Sequence, residues 1–292
     1  MRCCKKVVAN PGKIKFRQLI IFASTVVLCL LLMSICLYAE DLNGTIRVGG
    51  TGNALGSFRD LGDAFHKLHP GVTVVVLPSL GSSGGIKAVN EGALDLGLSA
   101  RQLKDSERIY GAIAVELART PFVFVFSGKS GAINLTLKNI AKMYAGETKN
   151  WPNGTPIRII LRPESDADTV LMKSMSVEMK EAVQKAMSRE GLTMATTDQD
   201  CADALEKVPG SFGAATVGQI ISEKRAFNIV TLDGVMPSMK NFADGKYSYY
   251  KPLFLVKGPR SSPATNNFIE FINSEEGMAI LKKTGFIALS GK

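Results

Sequence analysis

The nine residues "LRPESDADT", Leu161 to Thr169, place one arginine beside three carboxylates (Glu164, Asp166, Asp168) and two hydroxyls (Ser165, Thr169). Such a set can hold an anion through the guanidinium fork, or the arginine can pair with its own neighbours in a surface salt bridge. A second stretch, "GSSGG" (81–85), puts serine and glycine where a β-branched run gives way to a helix. Backbone N–H groups left free at such a turn, together with the positive end of the helix dipole, form a ready anion site. Simple helix capping by serine is the plainer alternative. Other chemistries lack their parts. Ser82 has no candidate histidine base and the glycine turn lacks nucleophile-elbow spacing, so hydrolysis is not expected. His66 and His69, the two histidines, sit three apart on a helical pattern with no cysteine nearby, which suits surface helix residues better than a metal site.

The elements that must position these residues alternate along the chain. "TIRV" (45–48) reads as a short strand, and Phe58, Leu61, Phe65 and Leu68 recur at helical spacing until His69-Pro70-Gly71. "VTVVVLP" (72–78) reads as a buried strand, "GSSGG" opens a helix ending near Gly92, and "LDLGLSA" (94–100) is a third strand. A charged helix near 104–110 precedes a long buried strand, "TPFVFVFS" (120–127). Residues 135–146 form a helix, 157–162 a strand and 166–190 mostly helix; 211–217 turn into a strand. "KPLFLVKG" (251–258) is a strand, and helices at 264–273 and 275–283 close the chain. The alternation implies an α/β class with a mainly parallel sheet. Two lobes fit the order: 40–120 plus 251–292, with 121–250 inserted, and crossings near 119–124 and 249–253.

The 292 residues are 46% apolar and 21% charged, ordinary for a globular protein large enough for sizeable cores. Net charge is +9, but six basic residues precede residue 40 and no acid does, so most of the excess belongs to a leader. No basic run interleaved with aromatics follows, and nucleic acid is not an expected partner. Residues 1–18 are basic, and Leu19–Ala39 is an uncharged apolar stretch ahead of Glu40-Asp41. Residues 1–39 are therefore a cleaved export signal or a retained N-terminal membrane anchor, with the remainder outside the cytoplasm. Four of five cysteines lie in this leader; Cys201 stands alone, so the exported part contains no internal disulfide.

"GSSGG" followed by "LDLGLS", then "LTLKNIAKMYAGETKNWPNGTPIRIILR", "VPGSFGA", "YYKPLFLV" and "INSEEGMAILKKTGFIAL" come in an order that resembles the phosphate-binding solute receptors of bacterial ABC importers. The resemblance spans roughly 45–290 and implies a two-lobed periplasmic-binding-protein type II fold with the ligand cleft between lobes. It implies ligand contacts from Ser82, Ser83 and Gly84 at the helix start, and from Thr51 or Asn53, with Gly52, after the first strand. Ser99 falls on the family's serine after the third strand, and Arg162 matches its anion-holding arginine. Trp151 packs the loop before a strand.

Two departures stand out. The family follows the serine at Ser99 with an aspartate that accepts the proton of monohydrogen phosphate; this chain has Ala100, with Arg101 next to it as added positive charge. The family's serine-glycine-threonine turn after the arginine is replaced by Asp166, Ala167 and Asp168, or, with one inserted residue, Thr169 takes the threonine's place. A carboxylate there either caps the helix itself and repels an anion, or accepts the proton that Ala100 cannot. The expectation is a monomeric periplasmic receptor for phosphate or a related tetrahedral oxyanion. It delivers its ligand to an inner-membrane ABC permease and needs no catalysis, cofactor or metal. The alternative is a non-transport envelope sensor or interaction protein of the same fold with an altered or decayed anion site.

Overall fold

The computed structural model describes residues 42–128 and 133–289; the expected leader lies outside them. Leu42–Lys292 is a unit of its own. The chain runs β1 (Gly44–Gly50), α1 (Leu55–Leu68), β2 (Val72–Val76), α2 (Gly81–Asn90) and β3 (Leu96–Ser99), then the long β4 (Ile113–Phe126). It continues through α3 (Leu137–Ala145), β5 (Arg158–Leu161), α4 (Ala167–Met175), α5 (Val177–Met187), α6 (Asp198–Lys207), β6 (Ser211–Thr216) and α7 (Val217–Ser222). It returns along β7 (Tyr250–Lys257) and closes with α8 (Pro263–Ile272) and α9 (Glu275–Lys283).

The principal strands lie in the order β2-β1-β3-β7-β4-β6-β5, with Thr193–Met194 beyond β5. β1 is parallel to β2 and β3, and β5 is parallel to β6. β7 runs antiparallel to β3 and β4, and β4 antiparallel to β6. The chain thus crosses between the two halves of the sheet on adjacent strands, with Tyr250 opposite Pro121.

Each half has its own core. Phe58, Phe65, Phe268 and Phe271 from α1 and α8 pack with Leu96, Leu98 and Leu253 over the first. Alternation along β4 serves both faces of the second. Phe122, Phe124 and Phe126 join Tyr144, Trp151 and Phe212 on one face, while Val123 and Val125 join Cys201 and Leu205 on the other.

The element pattern matches most of the sequence reading, but α6 and α7 have no counterpart in it, and three further elements differ. β2 is an edge strand with its outward positions, Thr73 and Val75, exposed, where its β-branched run predicts burial; only one face is covered, by α1. β4 starts at Ile113 because "IAVELAR" pairs with β7 before the apolar run begins. The predicted helix over 166–190 is two helices, broken at Ser176, whose hydroxyl caps α5.

Candidate functional site

The ends of β1 and β5 meet at the crossing strand. β1 ends at Gly50, whose φ of 137° only glycine adopts easily and where a Cβ would lie 2.0 Å from the Leu98 carbonyl oxygen. The turn delivers Thr51, Gly52 and Asn53 into the buried interior. Arg162 follows β5 and is the largest fully buried side chain of the described residues, 2% exposed.

Three carboxylates and two cations gather there. Arg162 Nη2 donates to Asp166 Oδ2 at 2.7 Å, and Nη1 donates to the Ala195 carbonyl at 3.0 Å. Lys251 Nζ, from β7, lies 2.6 Å from Asp168 Oδ1 and 3.0 Å from Asp198 Oδ1. Asp198 Oδ1 is also 3.9 Å from Arg162 Nη2. The other oxygen of Asp198 reaches across to the first half of the sheet, where it accepts from the Gly52 amide at 2.7 Å and from Thr51 Oγ1 at 3.4 Å. Thr51 Oγ1 also lies 3.1 Å from Asn53 Oδ1. Asn53 Nδ2 and Arg162 Nε are buried donors without a hydrogen-bond partner among the described residues.

The two aspartates on Lys251 respond in opposite ways. Burial pushes Asp168 up to about 6, against the pull of Lys251. Burial also acts on Asp198, but Lys251 and Arg162, with hydrogen bonds from Lys251 Nζ and the Gly52 amide, outweigh it and bring its carboxyl down to about 2. Arg162 and Lys251 are held above their usual values by these carboxylates despite burial, so both are cations at neutral pH.

Thr51, Asn53, Arg162 and Asp166, expected from the sequence, therefore come together. Asp166 caps α4, accepting from the Asp168 amide at 2.9 Å while it pairs with Arg162. Thr169 is buried, but its hydroxyl is turned away to the Arg162 carbonyl at 3.1 Å. Ser82, Ser83 and Ser99 form a neighbouring group. Ser82 Oγ accepts from the Ala100 amide at 2.9 Å, and Ser99 Oγ accepts from the Arg101 amide at 3.1 Å. Neither Ser82 nor Ser83 caps α2, which begins at Gly81 with no side-chain cap and has Gly84 in its first turn. Arg101 does not add unpaired positive charge: its Nη1 and Nη2 both reach Glu107 at 2.8 Å, and Nη2 also donates to Ser83 Oγ.

Asp198 and Lys251 escape the sequence argument. Thr197-x-x-Asp200, which forms a capping box, marks the start of α6 but not that Asp198 faces the other half of the sheet. Lys251 was visible as a lone lysine opening the apolar run "KPLFLV". His66 is exposed on α1, with Nδ1 2.7 Å from the Val72 carbonyl oxygen, and no metal-holding group of acids, histidines and cysteines occurs among the described residues. Cys201 is buried and unbridged, its thiol pushed up to about 12 by burial.

The model of the PBP superfamily domain matches residues 39–276. The chain belongs to the PBP superfamily. Its relatives within that superfamily include the phosphate-binding protein PstS of Borreliella burgdorferi, 22% identical over 86% of this chain and 92% of that one. PstS of Bacillus subtilis is 21% identical over 86% and 83%. A substrate-binding protein structure from Clostridium perfringens, described as that of a phosphate ABC transporter with bound phosphate, superposes with a TM-score of 0.70 at 22% identity. It covers 84% of this chain and all of that one. A phosphate-binding protein from Stenotrophomonas maltophilia gives 0.64 at 15% identity, over 85% and 91%. These likenesses establish the type II fold of this PBP-superfamily chain, in which the Thr51–Asp198–Arg162 cluster sits where the two halves of the sheet face each other.

Proposed function

We propose that this chain is an exported solute-binding protein that takes phosphate or a related tetrahedral oxyanion between two lobes, 40–120 plus 251–292 and 121–250, and passes it to an inner-membrane ABC permease. It works as a monomer in the periplasm, bound or not by its leader, and does no catalysis. The observation that carries the reading is the convergence of buried donors at one place: the Gly52 amide, Thr51 Oγ1, Lys251 Nζ, and two groups without a hydrogen bond, Asn53 Nδ2 and Arg162 Nε, the latter 4.0 Å from Asp168 Oδ2. Buried donors without acceptors cost free energy on the order of 1–3 kcal/mol each, and an oxyanion with four acceptor oxygens relieves that cost. The names of the relatives, phosphate-binding proteins throughout, support the same ligand.

Selectivity falls to Asp168. With Ala100 in place of the family's proton-accepting aspartate, and Asp166 occupied as a cap, Asp168 is the carboxylate left to accept the proton of monohydrogen phosphate. The second reading, an envelope sensor or interaction protein with an altered anion site, is favoured by one feature: the Asp198 carboxylate already occupies several of the donors.

Calorimetry of the full chain in detergent against phosphate, arsenate, sulfate, molybdate and tungstate at pH 5.5 and 8 tests the proposal. Micromolar or tighter binding of at least one anion is expected, weakened at least about 100-fold in Arg162→Gln, as loss of a charged bidentate partner implies. Absence of heat with every anion rejects it.

A further inference from the structure

We propose that Asp198 is an internal ligand of the interlobe site: its carboxylate sits on the anion donors, ties the two halves of the sheet together, and must be displaced before an external oxyanion binds. The proposal deepens the oxyanion-receptor reading and rests on it for the external ligand.

The carboxylate is placed as a ligand would be. One oxygen takes the Gly52 amide at 2.7 Å and faces Thr51 Oγ1, both from the loop after β1. The other takes Lys251 Nζ at 3.0 Å from the crossing strand and stands 3.9 Å from Arg162 Nη2 at the end of β5. Three separate parts of the chain thus point positive groups at one side chain, which itself comes from α6. A backbone N–H has one hydrogen to give, and a further anion next to the Asp198 and Asp168 carboxylates already on Lys251 would add repulsion in a buried setting. Binding of an external anion is therefore an exchange of one anion for another.

Neighbouring contacts close the same seam. Gln199 Nε2 donates to the Gly52 carbonyl at 2.9 Å. A methyl group on Gly52 would lie 2.3 Å from Gln199 Oε1 and 2.7 Å from Asp198 Cβ, and one on Gly56 would lie 2.5 Å from Ser222 Oγ of α7. The halves meet without room for one carbon atom. Glycine at these positions is what lets α6 and α7 approach the turn after β1 closely enough for Asp198 to reach the donors.

Hydrogen–deuterium exchange and phosphate calorimetry on the full chain in detergent, comparing wild type, Asp198→Asn and Gly52→Ala, test this. Asp198→Asn removes the internal charge. Gly52→Ala wedges the seam while keeping every charge, and so remains informative if the first variant folds poorly; protection of the β4 amides checks folding in both. Exchange in the 51–55 segment is expected to rise at least about tenfold in both variants. Phosphate is expected to bind Asp198→Asn at least about tenfold more tightly than wild type, because no internal anion has to leave. Equal phosphate affinity in wild type and Asp198→Asn, or unaltered exchange in both variants, overturns the internal-ligand proposal and leaves the receptor reading standing. Faster exchange in both variants with no oxyanion bound by any of the three sustains Asp198 as the tie between the halves and rejects the receptor reading instead.

Discussion

Asp168 and Asp198 share one ammonium group, that of Lys251, yet their acidities diverge because Asp198 also accepts from the Gly52 amide, while Asp168 is raised by the carboxylates of Asp166 and Asp198 beside it. The divergence has a consequence for stability. Asp168, raised to about 6, holds its proton more tightly in the folded state than in the unfolded chain, so its contribution is lost as pH rises from about 4 through 6. Asp198, lowered to about 2, contributes stability that is present above its unfolded value and lost as pH falls toward 2. Asp168→Asn removes the first effect and leaves Lys251 paired with Asp198. In urea unfolding at pH 4, 5, 6 and 7, the variant should gain on wild type as pH rises, by up to about 3 kcal/mol across the window at 1.36 kcal/mol per pKa unit. A difference between the two proteins that stays constant with pH would contradict this account of Asp168.

At the scale of elements, α6 decides whether Asp198 reaches its partners. Its start is set by a reciprocal cap, in which Thr197 Oγ1 accepts from the Asp200 amide at 3.0 Å and Asp200 Oδ2 accepts from the Thr197 amide at 3.0 Å. Asp198 is the first residue inside that cap, so the cap fixes where its carboxylate emerges. Thr197→Ala should cost about 1 kcal/mol in urea unfolding, the usual value of an N-cap, and should also raise exchange of the Gly52 amide. A stability loss with Gly52 protection unchanged would mean that Asp198 is placed by its ion pairs rather than by the helix start. The periodic apolar face of α1 was legible in Phe58, Leu61, Phe65 and Leu68, whereas α6, whose cap lies in "TTDQD", has no counterpart in the sequence reading. The edge position of β2 was not legible either, since a run of β-branched residues reads the same whether one or both faces are covered.

Over the whole molecule, β4 and β7 carry the sheet continuously from one half to the other, and Lys251 on β7 binds carboxylates from two helices of the second half. Such continuity couples the halves during unfolding. The single tryptophan, Trp151, reports on the second half alone: it is buried, donates Nε1–H to the Gly210 carbonyl at 3.0 Å and packs 5.2 Å from the Phe126 ring. Urea curves followed by its fluorescence and by far-UV circular dichroism should superimpose. Two separated transitions would show that the crossing strands do not make the halves one cooperative unit.

Local pattern settled much of this protein. The order of strands and helices, the α/β class, the glycine-serine turn of α2 and the arginine after β5 are all written in short segments, because periodicity and turn chemistry act over a few residues. The partners of that arginine are another matter. Asp166 lies four residues away and could be anticipated, but Asp198 reaches Gly52 across 146 positions, and Lys251 reaches Asp198 across 53. Charge interactions depend on distance and burial in space, and neither is encoded in the spacing of residues along the chain. Folding alone brings a carboxylate of α6 onto the donors that follow β1, and so decides that the site holds an anion of its own.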